Sequence, residues 1–262
     1  MVQLTSYWEG PVGWMERLCV RSMRRAGHPL TIYSYLPEAL SKEGLDADVA
    51  DAREIVPAEH PINRYREVGR YALMSNLFRL ELQRQSRGIW VDLDCLFLKP
   101  LMPKSPYVFG RVVGPKLNGA VLGLPAGAPM VEDYMSAITA VPLRTPWATP
   151  RRRLWRNLEI LAGYPMPPPA VQTNIGPRAL TYFARKHGVH TNAVARDVFY
   201  PVGTTDAHIL VDADDRKARA TLTENTVIVH LWHGQLKKVD LLRPTPQTTS
   251  LVGQAMRENA LV

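Results

Sequence analysis

Two carboxylates one residue apart, Asp92 and Asp94, follow the short apolar run Ile89, Trp90 and Val91. Oxygen ligands at that spacing, with a rigid strand behind them, can share one small hard cation such as Mg²⁺ or Mn²⁺. Such a cation usually keeps coordination positions open for substrate phosphates. Held there, it would neutralise charge building on a leaving diphosphate. On its own the pair also fits a solvated turn at a strand end.

The elements around the pair explain how it would be positioned. Residues 66–86 have helical periodicity, with Leu73, Leu77, Leu80 and Arg84 on one mostly apolar stripe. Ala72, Ser75, Asn76, Arg79 and Gln83 form a second stripe that is small and polar, which is unusual on a helix that must pack inward. Gly88 ends the connection, and the apolar run 89–91 reads as a central buried strand. Upstream, strand 2–7 ends at Tyr7 and Trp8. Helix 11–26 follows, opened by Pro11 and closed by Gly27, and then strand 30–35. This β–helix–β opening predicts an α/β protein with a mostly parallel sheet, in which ligands bind outside the carboxyl ends of the strands.

The remaining periodicity predicts a short helix at 37–43, a short strand at 54–57 and a loop at 60–65. Strands follow at 107–110 and 120–124 around a loop holding Lys116 and Asn118, and then a helix at 129–140. Residues 142–170 carry many prolines and little pattern. A helix is predicted from near Pro177 to 188, a strand into an acidic turn at 208–215, and a strand at 226–233 that delivers His230, Trp232 and His233. The tail after 240 is broken by prolines and then weakly amphipathic. There is neither an internal repeat nor an interdomain linker, so 1–262 reads as one unit.

The chain has 262 residues, 46% hydrophobic and 21% charged, with a formal net charge of +8. That size supports a full core, and that charge favours an anionic partner or substrate. Neither an RNA-binding aromatic signature nor a helix-turn-helix pattern is present, so no nucleic-acid partner is expected. Cys19 and Cys95 lack metal-type spacing and form no disulfide framework, which fits a reducing compartment. The N-terminus lacks a signal-peptide pattern, and no run is long and apolar enough to span a bilayer. A cytoplasmic protein is expected, with possible peripheral contact at the inner membrane face.

The pattern Ser75, Asn76, Arg79, then Gly88, Trp90, Asp92, Asp94, then Leu98, Lys99, Pro100 resembles the D-x-D glycosyltransferases of the GT-A fold. That group includes bacterial polysaccharide and lipid-sugar transferases, yeast-type mannosyltransferases and the glucosylating clostridial toxins. Trp8 with Gly10 resembles the family's first-strand end. Asn118 with Gly119, the stretch Thr173 to Pro177, and HLWH at 230–233 resemble later family segments. The resemblance implies a GT-A-type, Rossmann-like mixed sheet, mostly parallel and flanked by helices. Residues 1–124 would bind the nucleotide-sugar, and residues 125–262 would supply the acceptor side and complete the metal site.

The implied activity is metal-dependent, retaining transfer of a sugar from a nucleotide-diphosphate sugar to a glycan or lipid-linked acceptor hydroxyl. Asp94 would be the principal ligand to Mn²⁺ or Mg²⁺, with Asp92 touching the metal or the ribose. His230 would be a third ligand or a diphosphate contact, with His233 as the second candidate. Trp8 would stack on the base. Asn76 and Arg79 would hydrogen-bond the donor sugar, and Asn118 would join the donor-binding set. Asp92, Asp94 and Arg79 would carry the chemistry, with no enzyme nucleophile or general base implied.

Three positions depart from the pattern: Asn76 replaces an Asp, Arg87 replaces a paired glycine, and Ile175 is inserted after Asn174. A haloacid-dehalogenase-type phosphatase using Asp92 and Asp94, completed by Asp214 and Asp215, is an alternative; so is a basic nucleotide-binding protein without catalysis. The run Arg151, Arg152, Arg153, Leu154, Trp155, Arg156 could rest on an anionic membrane, or it could begin a solvated basic helix.

Overall fold

The structure, a computed structural model, describes residues 1–60, 63, 66, 69, 71–140, 142–143, 145–163 and 175–261, the side chain of Ala72 excepted. Strands and helices alternate through the first half: β1 (Leu4–Tyr7), α1 (Trp14–Arg25), β2 (Leu30–Ser34), α2 (Pro37–Ser41), β3 (Asp48–Asp51), α3 (Tyr71–Arg84) and β4 (Ile89–Val91). β5 (Cys95–Phe97), β6 (Val108–Arg111) and β7 (Leu117–Gly123) follow. The main sheet has the order β3-β2-β1-β4-β7-β6. β1 pairs in parallel with both β2 and β4, and β2 with β3. β7 is antiparallel to β4 and to β6, so it is the strand of this sheet that runs the other way. The predicted mixed, mostly parallel sheet flanked by helices is the architecture present.

Strand alternation sorts the core onto two faces. Val91 and Val121 point into a cluster with Leu18, Ile32 and Leu231. Their neighbours Trp90 and Leu122 point into the opposite cluster, with Phe78, Phe109 and Phe183. α1 begins where the Glu16 carboxylate accepts the Gly13 N–H at 2.7 Å, and it buries Met15, Leu18, Cys19 and Met23. α3 buries Leu73, Met74, Leu77 and Phe78. Gln83 ties it to the sheet, donating to Gly88 O at 3.0 Å and accepting the Leu124 N–H at 2.9 Å.

The second half adds α4 (Pro129–Thr139), α5 (Pro150–Leu161), α6 (Pro177–Lys186), α7 (Arg196–Phe199), α8 (Arg216–Arg219), β8 (Ile228–His230), α9 (His233–Lys238) and α10 (Leu251–Glu258). β8 pairs antiparallel with β5, setting Cys95 opposite His230. The polypeptide therefore leaves one sheet at Val91 and enters another at Cys95, and Asp92 and Asp94 occupy the turn between them.

Several boundaries differ from expectation. Residues 54–57 are not a strand; the sheet edge is formed by Asp48–Asp51, followed by a 3₁₀ turn at Ala52–Glu54. Two aspartates in β3 oppose strand propensity, and pairing along β2 overrides it. Residues 208–215 are likewise not a strand: a 3₁₀ turn, Thr204–Leu210, buries Ile209 and Leu210 there. Asn118 lies inside β7 rather than in a loop. The last strand stops at His230, and His233 opens a helix after Trp232 takes a left-handed conformation at φ 58°. α5 occupies part of the patternless stretch, with Pro150 in its first turn. Residues 67, 68 and 70 of the expected helix, residues 61, 62, 64 and 65 of the expected loop, residues 144 and 164–170, and Thr173 and Asn174 lie outside the described residues.

Candidate active site

At the carboxyl end of β4, Asp92 is anchored by its own N–H, which donates to Ala120 O on β7 at 2.7 Å. Its Oδ1 accepts the Trp90 indole N–H at 2.6 Å and lies 3.2 Å from an Nη of Arg79. Arg79 is in turn fixed on every side. It donates to Gly119 O at 2.6 Å and to Ser75 O at 3.1 Å, and its guanidinium lies 4.8 Å above the Trp90 ring. The small polar stripe on α3 is thus explained: small Ser75 lets the Arg79 side chain lie along the helix and reach the sheet edge.

Asp94 faces the other way, toward the C-terminal part of the chain. One oxygen is 3.0 Å from His230 Nε2, and the other accepts the His233 N–H at 2.9 Å. The Leu231 N–H donates to the Asp94 carbonyl at 2.7 Å. The β5–β8 ladder and the left-handed Trp232 create this clasp, since they turn the backbone so that His230 and the His233 N–H converge on one carboxylate. Trp232 Nε1 is secured on Val202 O at 3.0 Å.

The electrostatics split the two acids. Burial pushes Asp92 up, and the neighbouring Asp94 charge adds to this, so its carboxyl lies above the ordinary range despite Arg79. Burial opposes ionisation of Asp94 too, but the His230 charge and hydrogen bond, with the His233 N–H, together outweigh it and hold the carboxyl at about 2. Burial lowers His230, and the Asp94 charge and hydrogen bond more than reverse this, so its pKa is raised.

Asp94 and His230 offer donors that fit a divalent cation, whereas Asp92 is not among the ligand atoms gathered within 4.8 Å of one another. The side chains of Asp92 and Asp94 are 28% and 15% exposed, so both carboxylates reach the surface of the turn. Ligand atoms of Asp94, Cys95 and His230 lie within 4.8 Å of one another. Burial pushes the Cys95 thiol well up, which leaves oxygen and imidazole as the available donors and favours a hard ion. His230 Nδ1 is buried without a hydrogen-bond partner among the described residues.

The other expected residues gather nearby with different degrees of freedom. Trp8 follows β1 beside the β4 end and meets the His233 ring edge-on at 6.1 Å. Asn76 lines a small cleft with Arg79, Gly119, Tyr134 and Gly176. Gly176 lies so close that a Cβ there would sit 2.9 Å from Asn76 Oδ1, so the end of the 173–177 stretch packs directly on the helix. Asn118 turns its Oδ1 to its own strand, accepting the Ala120 N–H at 2.8 Å. Asp214 and Asp215 do not join the cluster; they pair with Arg216 and Arg219.

Two contributors were not expected from the sequence. Buried Glu16 caps α1 and lies 3.8 Å from His233 Nε2, and burial raises its pKa. Buried Tyr200 packs edge-on against His230 at 5.7 Å. A helix-capping acid and a core tyrosine carry no local signal that sets them apart from ordinary structural residues.

No protein-family model and no curated protein sequence matches the chain. Among solved structures, the PaToxG glycosyltransferase is similar over 70% of this chain and 68% of its own, with a TM-score of 0.52 and 11% identity. The chain has a GT-A-like glycosyltransferase fold. At that identity the likeness concerns the fold. Among the described residues, no helix is long and apolar enough to cross a membrane.

The basic run expected near a membrane begins α5. Arg151, Arg152 and Arg153 are exposed, as are Leu154, Trp155, Leu158 and Leu161. Arg156 is buried instead, donating to Leu143 O at 3.0 Å and pairing with Glu159 at 2.8 Å.

Proposed function

We propose that this protein is a metal-dependent glycosyltransferase that moves a sugar from a nucleotide-diphosphate sugar to an acceptor hydroxyl. The observation that carries this reading is the convergence of Asp92, Asp94, Arg79 and His230 at the carboxyl end of β4 in a GT-A-like sheet. Residues 1–124 supply the donor half, and 125–262 the acceptor side and the His230 closure.

Asp92 and Asp94 would hold Mn²⁺ or Mg²⁺, with His230 as a third ligand in its neutral form. The cation would neutralise charge growing on the leaving diphosphate. Arg79 keeps Asp92 aimed and adds a fixed positive charge beside the phosphates. Trp8 takes the base, and Asn76 and Asn118 border the donor sugar. Asp92 is tied to Arg79 and Asp94 to His230, and the family resemblance assigns neither of them as a nucleophile. The resemblance to the D-x-D glycosyltransferases supports retention of configuration by front-face attack, with the departing diphosphate accepting the proton of the acceptor hydroxyl. The chain contributes orientation and exclusion of water.

The exposed apolar row of α5 beside three arginines supports peripheral contact with an anionic membrane, which fits a lipid-linked or glycan acceptor at a cytoplasmic membrane face. The paired states of Asp214 and Asp215 count against the phosphatase reading.

Incubation with Mn²⁺ and a panel of nucleotide-sugars tests the reading, with release of the nucleotide diphosphate as the readout. Slow release that EDTA abolishes is expected. Absence of release and binding with every donor, together with phosphatase turnover, would sink it.

A further inference from the structure

A second cavity is separate from the carboxylate turn. It holds about 900 Å³ and is lined by Lys116, Arg152, Arg178, Arg185 and Lys186. Trp147 and Tyr182 supply two rings to the same wall, 6.4 Å apart and tilted at 57°. No acidic residue lines it among the described residues. Asp133 pairs with Lys186 and His187. Among the described residues Lys116, Arg178 and Arg185 have no carboxylate partner.

α6 builds most of this wall by helical spacing. Ala179, Leu180, Phe183 and Ala184 are buried against the core. Arg178, Tyr182 and Arg185 fall on the opposite stripe, at i, i+4 and i+7. Thr181 fixes the helix to β7 by accepting the Leu117 N–H at 3.0 Å. The cavity also lies on the ligand side of the sheet. β7 meets Asp92 at Ala120, and Lys116 immediately precedes that strand, four residues or about 13 Å away. Pro177 borders both this cavity and the cleft of Asn76 and Arg79.

We propose that this cavity is the acceptor subsite and that the acceptor carries a phosphate group. The inference rests on the glycosyltransferase reading. A neutral glycan does not call for three cations without acidic partners, and a single carboxylate is satisfied by one bidentate arginine. A phosphate ester brings nearly two negative charges and several acceptor oxygens, which matches Arg178, Arg185 and Lys116 lining one cavity. The two rings suit the apolar face of a sugar attached to that phosphate.

The test measures binding of glucose 6-phosphate, glucose and glucuronate in EDTA, where no cation supports the carboxylate turn. Glucose 6-phosphate should bind, with glucose and glucuronate at least tenfold weaker. The double variant Arg178→Ala/Arg185→Ala should lose at least tenfold in affinity while keeping the wild-type circular-dichroism melt. Asp94→Asn should abolish Mn²⁺-dependent nucleotide-sugar cleavage yet keep glucose 6-phosphate binding, so the two readings fail separately. Liposomes containing phosphatidic acid form the second arm. Retention lost in the double variant supports a lipid phosphate, and binding of the soluble probe alone supports a glycan phosphate. If neither source binds, if the double variant binds both normally, or if glucuronate binds as well as the phosphate, the proposal is overturned.

Discussion

His230 Nε2 lies 3.0 Å from a carboxylate oxygen of Asp94, across 136 residues of chain. The contact closes the turn after β4 with the C-terminal β-ladder, so the first and second halves of the chain share one carboxylate. Because the same oxygen pair also takes the His233 N–H, Asp94 is the structural and electrostatic centre of the site.

Replacing Asp94 with Ala should remove Mn²⁺-dependent donor binding and lower nucleotide-sugar cleavage by on the order of 10²-fold or more. Calorimetric titration of Mn²⁺ with the nucleotide diphosphate checks this. Intact metal-dependent binding in the variant would refute the role assigned to Asp94.

Arg79→Met should act on stability as well as chemistry. It leaves the Asp92 carboxylate without the partner now 3.2 Å away and removes the cation from above Trp90. Losing one member of a largely buried pair costs about 3 kcal/mol or more, visible as a lower urea midpoint. A variant as stable as the parent would show that Arg79 does not position Asp92.

Gly88→Ala probes the approach to the site. Gly88 has φ +118°, and an added Cβ would meet Gln3 O at 2.7 Å. Both the left-handed backbone and the clash with a fixed carbonyl oppose a side chain, so a loss of about 1–3 kcal/mol is expected. An unchanged thermal midpoint would contradict the geometry at the start of β4.

Acid sensitivity should trace in part to His28. Its Nε2 accepts the Leu101 N–H at 2.9 Å, and its ring is buried. Burial, helped by the N-terminal ammonium, holds its pKa below the ordinary histidine value in spite of the Val2 carbonyl. The unfolded chain therefore takes up this proton first as pH falls. Stability from His28 is complete above about pH 6.5 and drains away below it, toward the lowered folded value. His28→Gln should flatten the decline in thermal midpoint between pH 7 and pH 5. An equally steep decline would exclude His28 as a source.

Membrane contact has its own outcome. Substituting Leu154, Leu158 and Leu161 with Ser should reduce co-sedimentation with anionic vesicles several-fold without moving the thermal midpoint, because these side chains are exposed. Unchanged sedimentation would remove α5 from consideration.

Much of the first half of the chain was legible because its signals are local. The β4 strand, the acidic pair after it and the polar stripe on α3 appear as residue types at fixed spacing. The 173–177 stretch was recognisable as a motif, but not that Gly176 packs on Asn76. α5 was legible only as one alternative, the start of a basic helix, because its prolines and arginines mask a helix whose apolar row faces outward rather than into the core.

By itself, then, the sequence determined the α/β pattern, the placement of Asp92 and Asp94 at a strand end, and Asn76 and Arg79 on one helix face. Periodicity and propensity act over a few residues and can be read without a fold. Only the tertiary structure decided that Arg79 turns to Asp92, that His230 rather than His233 presents its ring to Asp94, and that five cations border one cavity. Those pairings depend on strand order and on which helix face is buried, and long-range burial of apolar surface sets both.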